Sequence, residues 1–149
     1  MTNQETLCFI FSLEPQFLHK PPVMEIIYNH KQILAPCEIV DKQDIAIDIE
    51  IDLDNQLDGG LLEIKITNHD GANHQTLTLS KLKVDDIDMA KILDHSRFYP
   101  EYPEPWLSEQ HALGIQWPEF HTGWLEWGWN GTWQFRFQVP FYDWLLKTL

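Results

Sequence analysis

Period two governs the stretch that most constrains this chain. Between Asp44 and Asp54, Ile45, Ile47, Ile49, Ile51 and Leu53 alternate with Ala46, Asp48, Glu50, Asp52 and Asp54. Successive side chains of a strand point to opposite faces. Ten residues of this pattern therefore describe a strand with one side in a core and the other in water. A helix would scatter the same isoleucines around its circumference. The pattern recurs where Leu62, Ile64 and Ile66 alternate with Glu63, Lys65 and Thr67, and where Trp133, Phe135, Phe137 and Val139 alternate with Thr132, Gln134, Arg136 and Gln138. Leu7–Leu13 and Val23–Tyr28 also read as strands, with a turn at Asn29-His30-Lys31 leading into Gln32–Leu34. Over Thr76–Asp85 the parity changes, from Leu77 and Leu79 to Leu82 and Val84, and a bulge near Ser80-Lys81 reconciles the two halves. Strands that follow one another without intervening helices predict an all-β fold. The expectation is an antiparallel two-sheet sandwich of jelly-roll type with seven or eight strands, one domain over 1–149.

The punctuation is as informative. Pro15, Pro21 and Pro22 mark a loop, Gly59-Gly60 breaks the chain, and Asn68–Asn73 is rich in turn residues. Asn130-Gly131 between two apolar runs is a strong hairpin signal, predicted to join Trp124–Trp129 to the strand that follows. Ile87–Leu93 predicts either a short helical turn or a strand end. From Asp94 to Phe120, Pro100, Pro103, Pro105 and Pro118 sit among aromatics without a sustained period. This span reads as a long ordered insertion laid over the sandwich, with a helical turn near Leu107–Leu113. Residues 140–149 close the chain, Phe141–Leu146 forming an apolar turn or short helix over the sandwich edge.

Charge narrows the function. Ten basic against 23 acidic residues give −13. Binding a nucleic-acid backbone needs a basic surface, and so does docking on anionic lipid; both are excluded as expectations. No apolar run approaches the ~20 residues of a membrane span, and no charged-then-apolar leader opens the chain. Two cysteines do not make a disulfide framework. Cys8 reads as a reduced core thiol, with a single bridge to Cys37 as the alternative, and synthesis in a reducing cytoplasm is expected.

Several residues are candidates for contact. The outer side of the alternating strand carries Asp48, Glu50, Asp52 and Asp54, about 7 Å apart on one face. Such a row keeps an exposed sheet soluble, and it also suits a basic partner. Asp70, Asp85, Asp86 and Asp88 lie at strand ends, where carboxylates can hold calcium, although the spacing is not that of an EF-hand. All seven tryptophans fall in the last third. Trp133 has core parity; Trp106 and Trp117, with Phe120, lie in the proline-rich insertion and are the candidates for an apolar or sugar-stacking contact. Seven histidines are scattered, and only His69 and His74 flank one loop. No nucleophile elbow, phosphate loop or zinc spacing occurs, so the expectation is a non-enzymatic protein without a required cofactor.

Two resemblances carry further expectations. Gly60-Leu-Leu-Glu-Ile-Lys-Ile-Thr-Asn-His-Asp70, followed by Thr76-Leu-Thr-Leu-Ser-Lys-Leu-Lys-Val-Asp-Asp86 and preceded by Pro22-Val-Met-Glu-Ile-Ile-Tyr-Asn29, resembles the core strands of small calcium-dependent xylan-binding modules. The calcium-holding aspartate of those modules has no counterpart near Leu79-Ser80. The acidic alternating strand, Leu82-Lys-Val-Asp-Asp-Ile-Asp88 and Gly128-Trp-Asn-Gly-Thr-Trp-Gln-Phe-Arg-Phe-Gln-Val-Pro-Phe-Tyr-Asp-Trp-Leu-Leu146 resemble uncharacterised proteins of tailed bacteriophages, cyanophages included. That resemblance implies an accessory or structural protein made in the host cytoplasm and carried into the virion, acting through contacts with other protein subunits. The alternatives are a carbohydrate-binding module using the loop tryptophans and an acidic inhibitor of a host nucleic-acid-binding protein.

Overall fold

Alternation decides both where strands run and which way each one faces. The computed structural model describes residues 4–52, 59–67, 69 and 75–148. In chain order the elements are β1 (Gln4–Gln16), β2 (Val23–Tyr28), β3 (Lys31–Glu38), β4 (Gln43–Asp52), β5 (Gly60–Thr67), β6 (Thr76–Val84), β7 (Ile87–Asp88), α1 (Ala90–Leu93), β8 (Arg97–Pro100), α2 (Trp106–Ala112), β9 (His121–Thr122), β10 (Glu126–Trp127), β11 (Gly131–Phe137) and α3 (Phe141–Thr148). One sheet runs β10-β6-β1-β4, with β7 also on β6; the other runs β3-β2-β5-β11-β8-β9. Every pairing is antiparallel. The fold is a two-sheet β-sandwich, as the alternation predicts.

The core is the meeting of the two inner faces. Leu7, Phe9, Phe11 and Leu13 of β1 and Ile47, Ile49 and Ile51 of β4 face Ile64 and Ile66 of β5 and Trp133, Phe135 and Phe137 of β11, all buried. Rings bridge the layers directly: Phe9 lies 6.0 Å from Phe137, and Trp127 lies 5.9 Å from Trp133. The predicted bulge is present. Ser12 pairs with Lys81 and Leu13 with Leu79, which leaves Ser80 as the extra residue. Its hydroxyl donates to the Ser12 carbonyl at 3.1 Å. One added residue resets the parity, so Leu79 and Leu82 both point inward.

Two tight hairpins follow from residues that tolerate left-handed backbone. Asn29 and His30 (φ 46° and 67°) join β2 to β3, and Asp85 and Asp86 (φ 49° and 68°) join β6 to β7. Positive φ at both central positions matches the right-handed twist of the flanking strands. Pro15, read from sequence as loop, lies inside β1. It pairs only with β6, because β4 pairing stops at Leu13, so its missing N–H costs no ladder bond on the open side.

Three other expectations are corrected. Asn130-Gly131 is not a hairpin turn. β10 pairs with β6 in one sheet while β11 pairs with β5 and β8 in the other, so the segment crosses between layers. Neither residue has positive φ. Cys8 is not a core residue: with Leu7 and Phe9 inward, period two turns it outward, half-buried beside Asp48. Both cysteines are free and belong to different sheets. The insertion read over 94–120 contains β8, which pairs with β11 through four residues of each strand. Residues 94–96 and the stretch beyond Pro100 lie outside the strands.

The closing segment is the helix α3. It buries Phe141 and Leu145 over one end of the sandwich. The Glu5 carboxylate of β1 accepts from the Phe141 N–H at 3.2 Å, satisfying a first-turn donor. Tyr142 donates its hydroxyl to Asp85. That bond, then burial, push the Tyr142 phenol up to about 12. Among the described residues no helix is long and apolar enough to cross a membrane.

Candidate functional site

The excursion from β8 to β9 is held by rings. Tyr102 packs against Trp129 at 5.3 Å and against Trp106 and Trp117, each at 6.0 Å. Trp106 and Trp117 lie 5.1 Å apart. The Tyr102 hydroxyl donates to the Pro118 carbonyl at 2.6 Å and sits 3.0 Å from His121 Nε2. Burial pushes the Tyr102 phenol up and the His121 imidazolium down, so both favour their neutral forms. Trp117 Nε1 donates to the Gln110 side chain at 3.3 Å. The two tryptophans predicted as a contact surface are thus half-buried and packed on each other. Phe120 packs at a tilt against Tyr99 at 5.3 Å, under the Arg97 guanidinium at 4.4 Å.

What the excursion displays is its corner. α2 ends in a Schellman motif: Ile115 N–H donates to the Gln110 carbonyl at 2.9 Å, and Gly114 N–H to that of His111 at 3.0 Å. Gly114 takes the required left-handed conformation, φ +80°. The turn throws Leu113 (72% exposed) and Ile115 (44%) into water. Between residues 101 and 120 there are four carboxylates, at Glu101, Glu104, Glu109 and Glu119, and no lysine or arginine.

Beneath the excursion runs an open groove of about 660 Å³, with Trp124 and Trp129 as aromatic walls and His69, Gln75 and Glu126 among its polar groups. Trp124 is 42% exposed and packs on His121 at 4.6 Å. The Asn130 side chain behaves like a strand partner for His69: Oδ1 accepts from its N–H at 2.8 Å and Nδ2 donates to its carbonyl at 3.1 Å. These groove residues were missed in the sequence because Trp124–Trp129 was read as one hairpin strand. The signal available was the density of tryptophan in that run.

The acidic candidates are placed as follows. Asp48 and Glu50 are exposed and Asp52 half-buried on β4, an edge of its sheet; Asp54 lies outside the described residues. Asp85 and Asp86 make the β6–β7 turn, Asp85 accepting the Cys8 N–H at 2.8 Å. Asp88 accepts from the Ala90 N–H at 2.9 Å and pairs with Lys81 at 3.8 Å. Asp70 and His74 also fall outside the described residues. Among the described residues no three His, Cys, Asp or Glu side chains gather closely enough to hold a metal ion.

The Cys8 thiol is pushed up by burial, then by its hydrogen bond to Asp48 and by the charges of Asp48, Asp85 and Asp86. The thiolate is the reactive form. In a Cys37→Ser background, Cys8 is expected to react with maleimide more slowly at pH 8 than an unstructured peptide thiol. Asp48→Asn should speed it severalfold, and an unchanged rate would contradict this account. No family model, no curated protein and no solved structure matches the chain.

Proposed function

We propose that the chain is a non-enzymatic part of a bacteriophage particle and works by protein–protein contact. The observation that carries this reading is the excursion: a base fixed by four aromatic rings, an apolar corner at Leu113 and Ile115, and a purely acidic flank. A preorganised corner loses little entropy on docking. The partner it fits has an apolar hollow with a basic rim, and the net charge of −13 steers the approach. The resemblance of the acidic strand and the C-terminal run to tailed-phage proteins supplies the setting.

A photo-cross-linking residue at position 113 is expected to join the chain to one other protein of purified particles. Leu113→Asp with Ile115→Asp should cut incorporation at least about tenfold, the loss of a two-residue hot spot. Repeated absence of the chain from purified particles by mass spectrometry sinks the proposal.

The groove favours a second reading, glycan binding, since an exposed indole beside a carboxylate and an amide suits a sugar face and its hydroxyls. The two separate cleanly. Trp124→Ala should abolish a glycan-array signal and leave particle incorporation intact.

A further inference from the structure

The chain has two arginines, and both line one cavity. Arg97 and Arg136 border a cavity of about 390 Å³ between α1, β11 and α3, with His95 beside them. Its apolar wall is Ile92, Phe135 and Trp144. The strand register makes this arrangement. Arg97 pairs with Gln134, and Arg136 lies two residues beyond Gln134 on the same outward face. The two arginines are therefore diagonal neighbours, with backbones about 7–8 Å apart. β8 begins at that pair, so from Phe135 on β11 has β5 on one side and the cavity on the other.

The electrostatics are unusual for a chain with 23 acidic residues. No carboxylate lines the cavity among the described residues. Neither arginine has a carboxylate within ion-pair distance among them. Glu63, diagonal to Arg136 on the neighbouring strand, accepts from Gln134 at 3.1 Å and makes no ion pair with that arginine. Arg97 is held in place by Phe120 beneath it and by Tyr99, whose hydroxyl lies 3.5 Å from Nη1. Two cations on one cavity with no carboxylate between them favour an anion that can reach both. Their planar forks match the oxygens of a carboxylate or phosphate. The volume suits a small molecule, and the wall favours one with an apolar body.

We propose that this cavity binds a small amphipathic oxyanion, an aromatic or branched body ending in a carboxylate or phosphate. The site is distinct from the groove and meets the excursion only where Phe120 packs under Arg97, and it stands whether or not the chain belongs to a particle.

Two arginines give two backbone-independent Nε–Hε signals, so NMR reads the site directly. Titration with benzoate and with phenyl phosphate is expected to shift both signals together along one saturating curve. The tighter of the two probes tells carboxylate from phosphate. Arg136→Gln should weaken binding at least about tenfold, the loss of a charged hydrogen bond. Arg136 is exposed, and unchanged indole signals will show that the variant is folded. Benzamide, the neutral counterpart of benzoate, should not saturate. Shifts that rise linearly without saturation, binding unaffected by Arg136→Gln, or equal binding of benzamide would each overturn the assignment.

Discussion

Trp133→Ala is expected to destabilise the protein by about 3–5 kcal/mol, read as a fall in the urea midpoint at constant slope. Trp133 is fully buried and sits between Trp127 at 5.9 Å and Phe135 at 6.1 Å, so truncation empties the seam between the sheets. Its indole N–H is buried without a hydrogen-bond partner among the described residues. Such an orphan donor costs about 1–3 kcal/mol. Trp133→Phe removes that donor while keeping most of the ring, so it should cost much less than alanine. Trp106→Ala, by contrast, removes a half-buried ring and should cost about 1–2 kcal/mol. A midpoint for Trp133→Ala equal to that of Trp106→Ala would mean that the seam is not where the stability lies.

Gly131→Ala is the second large effect, at about 3 kcal/mol, the upper end for overpacking. An added Cβ would meet the Tyr99 carbonyl oxygen at 2.4 Å, a Phe98 ring carbon at 2.9 Å and Pro100 Cα at 2.9 Å. Two of those three atoms are backbone of β8, so the strand must move away. The glycine is demanded by room alone, because its φ is not positive. Hydrogen exchange should locate the damage: the amide of Glu101, which donates to the Asn130 carbonyl at 2.7 Å, should lose protection, as should core amides that exchange by global unfolding, while β1 and β4 amides that exchange through local openings keep theirs. Uniform loss of protection would place the strain elsewhere.

The same residue shows what the sequence can and cannot disclose. Which way each strand faces is a local property, written in alternation, and so the inner faces of β4, β5 and β11 were legible. Ser80 was legible too, because a bulge must reconcile Leu79 with Leu82. Which strand lies beside which is not local. Asn130-Gly131 satisfies the hairpin pattern, yet the neighbour that requires the glycine is β8, whose nearest residue, Pro100, lies 31 positions back along the chain. Asn130 is engaged with His69, a partner 61 residues away. The candidate site was half legible for the same reason. Density of tryptophan marked the last third of the chain, but only tertiary contact separates rings that build a scaffold (Trp106, Trp117) from one left in water (Trp124). Arg136 was read only as an outward position of its strand and Arg97 not at all, because a strand register, not a motif, brings them together.

Trp129 belongs to two compartments at once. It packs on Tyr102 within the ring cluster, and it forms one wall of the groove. Replacing that indole would therefore disturb the ring cluster and the channel together, so a variant meant to probe the channel alone has to spare it.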